Sequence, residues 1–470
     1  MTISETLARE AYDLTYDELP PDVIAEAKRR LIDMVGCAIG GFDSPPERIL
    51  RQTLLPAGGT AESSVCVSGQ RTSCMNAALI NGVMARFTEG VDRGVSLDLG
   101  VNLGHPSEII PSVIAVGERE HSTGKDVVTA VVLGYELLNR ICAAAGGTRA
   151  LSSRGWLAEI RAGLVVPLVV GKLLGLNVEQ LVNAVGLSGS FAGGLGIVDH
   201  GSEVVTMARN LRFPILAYQG ILYSLMAQQG FEAPGRIFEG HGGFIEVVLN
   251  GQIDLERLTR RPESFSITDV ATLLYPLESR LQGQTEALLG ILSEHPGLMP
   301  ERIARIRVTT SPRVLDAMAD PSHRYPQNKE TADSSAYYAA AVVVVDRAIS
   351  LDQFAPERLD DPRIREVIDK LEFDTVPEWR DDPPWAHDQA PTTVEVTTVD
   401  GEVIHAGVEY FKGHPLHPLS DDELEDKFRQ FARRQMGETQ IGEALDAIQG
   451  IERLEDITDL AETLVVRSEQ

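Results

Sequence analysis

Asp92 and His105 are the two residues whose types and spacing first indicate chemistry. They lie in EGVDRGVSLDLGVNLGHPSEIIPSVIAVGE (89–118), where a polar, glycine-broken stretch separates two apolar helical patterns. A buried loop must satisfy its polar groups internally, so we expect the carboxylate and the imidazole to pair. Such a pair raises the proton affinity of the ring and forms an acid–base unit. In the alternative interpretation, Ser107 caps a helix that starts at Glu108, and His105 merely packs beside it.

The composition limits the classes of function that the chain can serve. The sequence has 470 residues, of which 43% are apolar and 24% are charged, as is typical of a globular protein with two or three domains. Its 69 acidic residues against 42 basic ones give a net charge of −27. We therefore expect no nucleic-acid partner and no membrane partner. A small anionic substrate is compatible with this charge if a few arginines or lysines form a local basic pocket.

The cysteines and the N-terminus indicate a compartment. The chain has four scattered cysteines, and their spacing is not typical of a zinc or iron–sulfur site. Unpaired, scattered thiols are typical of a reducing compartment. The N-terminal segment has acids and no apolar stretch typical of a secretion signal, and no run of 18 apolar residues follows it. The sequence therefore predicts a cytoplasmic protein without a metal site.

Hydrophobic periodicity divides the chain into three parts. Residues 1–266 are mostly helical in pattern, as in PDVIAEAKRRLIDMVGCAIGG, which follows a proline and ends at a double glycine. Within 267–412, IARIRVTT alternates like a strand, and TTVEVTTVDGEVIHAGVEY predicts two strands joined by Asp400-Gly401. Residues 413–470 are helical again. The predicted fold is mostly α, with a large all-helical domain and an inserted, smaller α+β lid domain.

Several predicted helices are apolar almost all round. Examples are GLVVPLVVGKLLGL and NVEQLVNAVGLSGSFAGGLG. A helix of this kind is buried on every side, either in a thick helical layer or between subunits. Because these helices exceed what the core of one monomer needs, we expect a homodimer or a higher oligomer.

The order of these elements and motifs resembles the MmgE/PrpD family, which includes 2-methylcitrate dehydratase, cis-aconitate decarboxylase and iminodisuccinate epimerase. The resemblance covers nearly the whole chain and rests on the order of RRLIDMVGCAIGG, NGVMARFTEGVD, GHPSEIIPSVIAVGE, ARNLRFPILAYQG, NKETADSSAYY and GHPLHPLSDDELEDKF. It implies a helical domain, a lid, an active site between them and a dimer. It also implies chemistry without a metal or cofactor, beside a carboxylate of a small di- or tricarboxylate.

The resemblance assigns roles to the opening segment. Asp92 matches the last acid of the family's DFDD motif, which reads EGVD here, and His105 matches the histidine of its HP motif. Together they would form the catalytic acid–base unit. Ser96 is a possible hydrogen-bond donor to a substrate carboxylate.

Two arginines match positions that bind the substrate in the family. Arg209 falls where the family has a lysine that contacts a substrate carboxylate, and Arg212 falls near a following histidine. Arginine keeps the charge and offers two parallel hydrogen bonds, but it does not transfer protons. We therefore expect carboxylate binding at these residues rather than proton transfer.

Three positions depart from the family pattern. Leu157 stands where the family has a histidine after GW, Leu273 where it has a lysine, and Ser334 where it has the histidine of ETADHS. His200, on a glycine-flanked loop, could supply a missing acid–base group. Candidates for substrate binding that could equally be surface or structural residues are Arg161, Arg280, Lys329 and Tyr338.

The sequence favours a cofactor-independent lyase that dehydrates or hydrates a small polycarboxylate. Decarboxylation and epimerisation are the next alternatives, because all of these reactions pass through a carbanion or enolate beside a carboxylate. The alternative outside enzymes is a carboxylate-binding pseudoenzyme. We favour an enzyme because Asp92 and His105 persist together with many loop glycines.

Overall fold

The protein is mostly α-helical and has two hydrophobic clusters within the described part of the chain. The larger core contains mainly residues 3–270 and 424–464, and the smaller core contains residues 277–396. The part of the chain that the computed structural model describes consists of residues 1–199, 203–261, 263–381 and 391–466.

Helices build the larger core, and their ends follow the sequence signals. Helix Pro21–Gly40 follows Pro20 and begins with a proline. At this first position a backbone N–H would have no partner within the helix, so the proline costs no hydrogen bond. Gly124–Ala144 is capped by Thr123, whose hydroxyl accepts a hydrogen bond from the Asp126 amide at 3.2 Å. The longer helices of this core are Ile3–Asp13, Pro21–Gly40, Pro45–Leu54, Cys74–Phe87, Ile110–Glu120, Gly124–Ala144, Ala162–Leu173, Val178–Phe191, Pro214–Gln228, Asp421–Ala432 and Glu438–Gln449.

The C-terminal helices pack into the larger core. Helix Asp421–Ala432 lies against Pro21–Gly40, and a Cβ added at Gly36 would lie 2.9 Å from the Phe428 ring. Only glycine permits this close approach, so the two ends of the chain share one core.

Helix Gly124–Ala144 is long and apolar enough to cross a membrane by composition alone. The whole of its most apolar window is buried inside the protein. The central helix of a large core has the same composition, so this feature is explained by packing.

Short strands occupy much of the segment that the sequence presents as a polar loop. Two of them pair as an antiparallel hairpin, and a third adds to its outer edge. Gly94 pairs with Gly104, which brings Arg93 and His105 to the same end of the hairpin. The strands of the larger core and its border are β1 (Ser63–Ser64), β2 (Arg71–Thr72), β3 (Arg93–Ser96), β4 (Val101–Gly104) and β5 (Val270–Ala271).

The helix predicted to start at Glu108 begins earlier and less regularly. A 3-10 turn, Pro106–Ile109, leads into the α-helix Ile110–Glu120. The Ser107 hydroxyl has no hydrogen-bond partner among the described residues, so the predicted capping role is wrong. Instead, the Ser107 amide donates to the Asp92 carboxylate at 3.1 Å.

A four-stranded sheet in the order β7-β6-β8-β9 forms the smaller core with its helices. β6 pairs in parallel with β7 and antiparallel with β8, and the predicted hairpin at Asp400-Gly401 joins β8 to β9. The strands are β6 (Ile303–Thr309), β7 (Leu371–Asp374), β8 (Thr392–Thr398) and β9 (Val403–Val408). The main helices are Gln282–Glu294, Pro312–Ala317, Ala336–Asp346 and Pro362–Ile368.

Candidate active site

A cavity of about 220 Å³ lies between elements of the larger and the smaller core. Its arginines outnumber its carboxylates, so it is a local basic region in an acidic protein and suits a small anion. The charged and imidazole side chains that line it are Arg93, His105, Glu159, Asp199, Arg209, Arg212, Glu278, Arg280, Arg313 and His323.

His105 is held in one orientation by the backbone. Its Nδ1 lies 2.6 Å from the carbonyl oxygen of Asp92. Since a carbonyl can only accept, Nδ1 carries the proton, and Nε2 is left with a lone pair. The preceding Gly104 has φ +81°, and a Cβ there would lie 2.1 Å from the Arg161 guanidinium. The turn into His105 therefore needs glycine.

The charge state of His105 follows from its surroundings. Burial holds the pKa of His105 well below its usual range, and the nearby charges of Arg86, Arg93 and Arg212 act in the same direction. The imidazole is therefore neutral at neutral pH. A neutral ring with a free Nε2 can accept a proton, which is the requirement for a general base.

Asp92 supports His105 through its backbone and not through its carboxylate. The carboxylate accepts hydrogen bonds from the Tyr135 hydroxyl at 2.6 Å and from the Ser107 amide at 3.1 Å. Burial raises the pKa of the Asp92 carboxyl, although Arg30 opposes this effect. The predicted carboxylate–imidazole hydrogen bond is therefore wrong, and so is the predicted rise in the proton affinity of the ring.

Arg209 lines the cavity and is bound by carboxylates of the protein itself. Its guanidinium lies 2.8 Å from Glu89, 3.0 Å from Asp199 and 3.1 Å from Asp333, and it donates to the Ser334 hydroxyl at 2.7 Å. Burial alone would lower the pKa of Arg209, but these carboxylates raise it. Arg209 is thus a fixed positive charge in the wall, partly neutralised before any ligand arrives.

Glu89 joins this network from a strained backbone position. Its φ of +53° lies in the left-handed region, which a non-glycine residue adopts at a cost of about 1–3 kcal/mol. Besides Arg209, it pairs with Arg86 at 2.9 Å. Burial alone would raise the pKa of Glu89, but Arg209 and Arg86 hold it below its usual range. The EGVD segment therefore contributes an ionised carboxylate under the cavity.

Arg212 and Arg280 also line the cavity, as predicted residues of the site. Arg212 pairs with Asp199 and lies 3.8 Å from Glu159. Arg280 donates to Glu278 at 2.8 Å. Each guanidinium is thus oriented by a neighbouring carboxylate, which keeps its position fixed in the wall.

Two cations that were predicted to bind the substrate, Arg161 and Lys329, donate their hydrogen bonds to other groups of the protein instead. Arg161 is fully buried and donates to the carbonyls of Leu103 at 2.9 Å and Ala158 at 2.7 Å. Lys329 donates to the Phe87 carbonyl and to Asp333 at 2.7 Å. Both fix backbone or network groups behind the cavity, so the structure gives them a positioning role in place of the predicted substrate contact.

The remaining predicted residues lie outside the cavity or outside the described residues. Ser96 donates to Asp98 at 2.5 Å and lines a second cavity, of about 570 Å³. The Tyr338 hydroxyl donates to the Gln353 carbonyl at 2.7 Å within the smaller core. Neither position fits the predicted contact with a substrate carboxylate. His200 lies outside the described residues.

Several cavity residues were missed by the sequence prediction. Arg93 follows Asp92 directly, and its contacts with Glu278 at 3.2 Å and with the Ser279 hydroxyl cross from the larger to the smaller core. Arg313 lies in the short helix Pro312–Ala317, and His323 ends the 3-10 turn Pro321–His323. Elements this short show no clear periodicity in the sequence. The one available signal for Arg93 was its place next to a candidate catalytic acid.

The three positions that lose a functional side chain have different surroundings. Leu157 and Ser334 line the cavity. Leu273 is fully buried. Leu157 therefore presents an apolar surface to the cavity, whereas Ser334 hydrogen-bonds Arg209.

Glu108 is a buried acid behind His105. Among the described residues, neither of its oxygens has a hydrogen-bond partner, and Arg86 lies 3.6 Å away. Burial raises the pKa of Glu108 to about 7, against the effect of Arg86. This carboxyl therefore titrates near neutral pH at the back of the site.

Within the described ranges, no group of three or more histidine, cysteine, aspartate or glutamate side chains could hold a metal ion. The four cysteines are buried free thiols. Burial raises the pKa of Cys37 to about 12 and that of Cys142 to about 11. These thiols are therefore protonated packing groups.

The fold and the cavity define a class: mostly helical proteins with two cores and an arginine-lined, histidine-bearing cavity between them. The sequence matches the MmgE/PrpD N-terminal domain over residues 5–256 and the MmgE/PrpD C-terminal domain over residues 275–451. The chain belongs to the MmgE/PrpD family.

Similar proteins match nearly the whole chain. Cis-aconitate decarboxylase of Aspergillus terreus is 25% identical over 484 residues, which cover 98% of this chain and 96% of the relative. Cis-aconitate decarboxylase-like protein oryM of Aspergillus oryzae is 25% identical, with coverage of 95% and 94%. Cis-aconitate decarboxylase of Mus musculus is 22% identical, with coverage of 98% and 93%. Two of these relatives are named cis-aconitate decarboxylase, and the third is named as a protein like it.

Proposed function

We propose that the protein is a lyase that acts beside a carboxylate of a small di- or tricarboxylate. The observation that carries this proposal is the cluster of arginines around His105 in a cavity of about 220 Å³. A polycarboxylate brings several negative charges into a small volume, and arginine binds each carboxylate with up to two parallel hydrogen bonds.

The arginines also suit the charge that develops during such a reaction. Loss of CO2 or of a proton beside a carboxylate leaves an electron pair on carbon, which spreads onto the carboxylate oxygens. Arg93 and Arg212 are buried and already oriented by protein carboxylates, so they need no reorganisation when that charge appears. A charge-assisted hydrogen bond contributes on the order of 1.5–3 kcal/mol.

Decarboxylation is the first reaction that we propose, because two of the relatives named above are cis-aconitate decarboxylases. In this step, the bond from the substrate carbon to one carboxylate breaks and CO2 leaves without the bonding electrons. The pair remains on the carbon skeleton, and a proton then forms the new carbon–hydrogen bond. cis-Aconitate is the first compound to test, and at 25% identity other unsaturated tricarboxylates belong beside it.

Dehydration, or hydration in reverse, is the second candidate because His105 is neutral. Its Nε2 can take the proton from a carbon next to a carboxylate, while Nδ1 stays bound to the Asp92 carbonyl. The carbon–oxygen bond of a hydroxyl at the neighbouring carbon then breaks, and the leaving oxygen takes a proton to become water. Epimerisation would use the same base and return the proton to the other face.

Two readouts on one panel test the proposed function. The purified protein is incubated in deuterium oxide with cis-aconitate, citrate, 2-methylcitrate and their unsaturated or hydroxylated relatives. Release of CO2 identifies decarboxylation. Deuterium at carbon with a change in alkene absorbance, and without release of CO2, identifies dehydration or hydration. Binding without either signal would identify a carboxylate-binding pseudoenzyme. The absence of binding and of turnover across the panel would overturn the proposal.

The proposed reaction uses no metal and no organic cofactor. Both candidate steps need only the arginines and groups that move protons. Exhaustive dialysis against a chelator should leave turnover unchanged. Loss of activity that one divalent ion restores would contradict this part of the proposal.

We propose a homodimer as the assembly and the cytoplasm as the compartment. The segment that carries the cavity residue Asp199 also exposes apolar side chains, with Leu195 66% and Ile197 64% exposed. Phe191, at the end of the preceding helix, is 64% exposed. A cluster of this kind is typical of a protein interface. Sedimentation should give twice the 51.1 kDa chain mass at micromolar concentration, and a stable monomer there would contradict the dimer.

A further inference from the structure

His323 is a buried histidine of the cavity wall without a role in the reaction described so far. Its side chain is 3% exposed and lines the cavity. Among the residues that the structure describes, neither Nδ1 nor Nε2 has a hydrogen-bond partner. Since a buried polar group is normally hydrogen-bonded, a ring in this state indicates a position that a ligand completes.

The backbone around His323 is fixed even though the ring is unpaired. The residue ends a short 3-10 turn, Pro321–His323, and its carbonyl accepts a hydrogen bond from the Ser335 hydroxyl at 2.6 Å. The adjacent Ser334 hydroxyl binds Arg209 at 2.7 Å. The imidazole is therefore attached to the segment that holds the arginine network, and its position in the cavity is defined without a bond to either ring nitrogen.

We propose that His323 is a further catalytic residue, which hydrogen-bonds the bound polycarboxylate and delivers the proton that completes the product. It belongs to the smaller core, whereas His105 belongs to the larger one, and both line the same cavity. Leu157, which also lines the cavity, cannot transfer a proton. This inference rests on the proposed lyase function and names the acid that works opposite the base.

The proton balance of the step is simple. When CO2 has left, the carbanion-like substrate takes the proton of the His323 imidazolium, and a carbon–hydrogen bond forms while the nitrogen–hydrogen bond breaks. His323 is left neutral and regains a proton from water. In a dehydration, the same proton goes to the leaving oxygen as the carbon–oxygen bond breaks, and water departs. No oxidant or reductant is needed in either case.

Histidine NMR separates this inference from the proposed function. The full chain is labelled with 13C at its ten histidines, and the signals of His105 and His323 are identified by their loss in His105→Gln and His323→Gln. The probe is tricarballylate, a saturated tricarboxylate with no leaving group. We expect both ring signals to shift with the same saturation curve. A shift of His105 alone would overturn the inference and leave the lyase proposal intact, and a shift of neither would overturn both.

Kinetics test the proton delivery itself. His323→Gln should lower kcat by about 10²- to 10⁴-fold, because an amide cannot deliver the proton. The tricarballylate affinity should change less than about threefold, because the glutamine amide can still donate a hydrogen bond to the ligand. His405→Gln, at a ring that is 67% exposed on β9, is the matched control and should keep wild-type rates. A His323→Gln rate within twofold of wild type would overturn the inference. If the wild type turns over none of the panel, proton delivery falls with the lyase proposal, and the NMR titration still decides whether His323 contacts the ligand.

Discussion

The two histidines of the cavity show how differently its two walls are built. On the larger core, His105 has its Nδ1 bound at 2.6 Å to a backbone carbonyl, and its neighbours Arg209 and Arg212 are paired with carboxylates. On the smaller core, His323 lines the same cavity with neither ring nitrogen bonded to a described residue. The imidazole of the first wall is fixed by a hydrogen bond to the fold, whereas the imidazole of the second still has hydrogen-bonding capacity to offer.

This difference assigns a task to each wall. A ring with a fixed tautomer and a lowered pKa is suited to accept a proton at one defined nitrogen. A ring whose nitrogens have no hydrogen-bond partner among the described residues can form and break bonds to a ligand during a reaction cycle without breaking contacts that hold the fold. We therefore expect substitutions in the wall formed by the larger core to lower both kcat and the free energy of unfolding. Substitution of His323 should lower kcat alone.

The largest expected effect is that of His105→Gln on turnover. Glutamine can still donate to the Asp92 carbonyl but cannot accept a proton from carbon, so kcat should fall by about 10²- to 10⁴-fold. Tricarballylate affinity should change little, since the arginines remain. Steady-state kinetics with the panel compound that the wild type converts best measures the loss. A rate near that of the wild type would remove His105 from the proposed chemistry.

Arg209→Ala should destabilise the fold rather than simply weaken binding. The substitution leaves Glu89, Asp199 and Asp333 without their shared partner, and breaking a buried ion pair costs about 3–5 kcal/mol. Denaturant unfolding measures the change in free energy. Arg307→Ala, at an arginine that is 45% exposed on β6, is the charge-matched control and should cost less than about 1 kcal/mol. Equal stabilities for the two variants would mean that the ion pairs of Arg209 do not stabilise the cavity wall on the larger core.

The third prediction concerns the buried carboxyl of Glu108, whose ionisation should lower the stability of the protein. Burial raises its pKa from a usual 4.5 to about 7, so the folded protein binds this proton more tightly than the unfolded chain. Its stabilising contribution is complete below pH 4.5 and is lost as the pH rises through 7. Glu108→Gln, which mimics the protonated acid, should therefore match the wild type near pH 4.5 and exceed it at pH 8 by on the order of 1–3 kcal/mol.

The measurement is the pH dependence of the free energy of unfolding for both proteins. Glu256→Gln, at a side chain that is 81% exposed, is the control and should follow the wild-type curve. Curves for Glu108→Gln and wild type that stay parallel from pH 5 to pH 8 would contradict the raised pKa.

The smallest expected effect separates Asp92 from His105. Asp92→Asn keeps the backbone carbonyl that orients the ring and an oxygen that can accept from the Ser107 amide. The loss in kcat should therefore be less than about tenfold, far below that of His105→Gln. A loss as large as that of His105→Gln would show that the carboxylate itself takes part, and it would restore the acid–base pair that the sequence predicts.

Most helices and the hairpin at Asp400-Gly401 could be predicted because their signals are local. For helix Gly124–Ala144, the N-cap Thr123 marks the start, and the apolar pattern ends where the helix ends in the structure. The sequence of the β3–β4 hairpin predicts a loop, since strands of four residues that contain glycine show no clear alternation.

The site was only partly predictable, because the direction of a side chain depends on packing that the sequence does not contain. His105, Arg209, Arg212 and Arg280 line the cavity as expected. Arg161 is turned toward backbone carbonyls instead. The group that orients His105 is a backbone carbonyl, which every residue possesses and no motif marks.

The most direct test of the account is a calorimetric titration of tricarballylate into the wild type, Arg280→Gln and Arg307→Gln. Arg280 lines the cavity and Arg307 lies on β6, so the two variants lose the same charge at different places. We expect saturable binding with one site per chain, weakened at least about tenfold by Arg280→Gln and unchanged by Arg307→Gln. Binding that is absent in the wild type, or equally affected by both substitutions, would contradict a polycarboxylate site in this cavity.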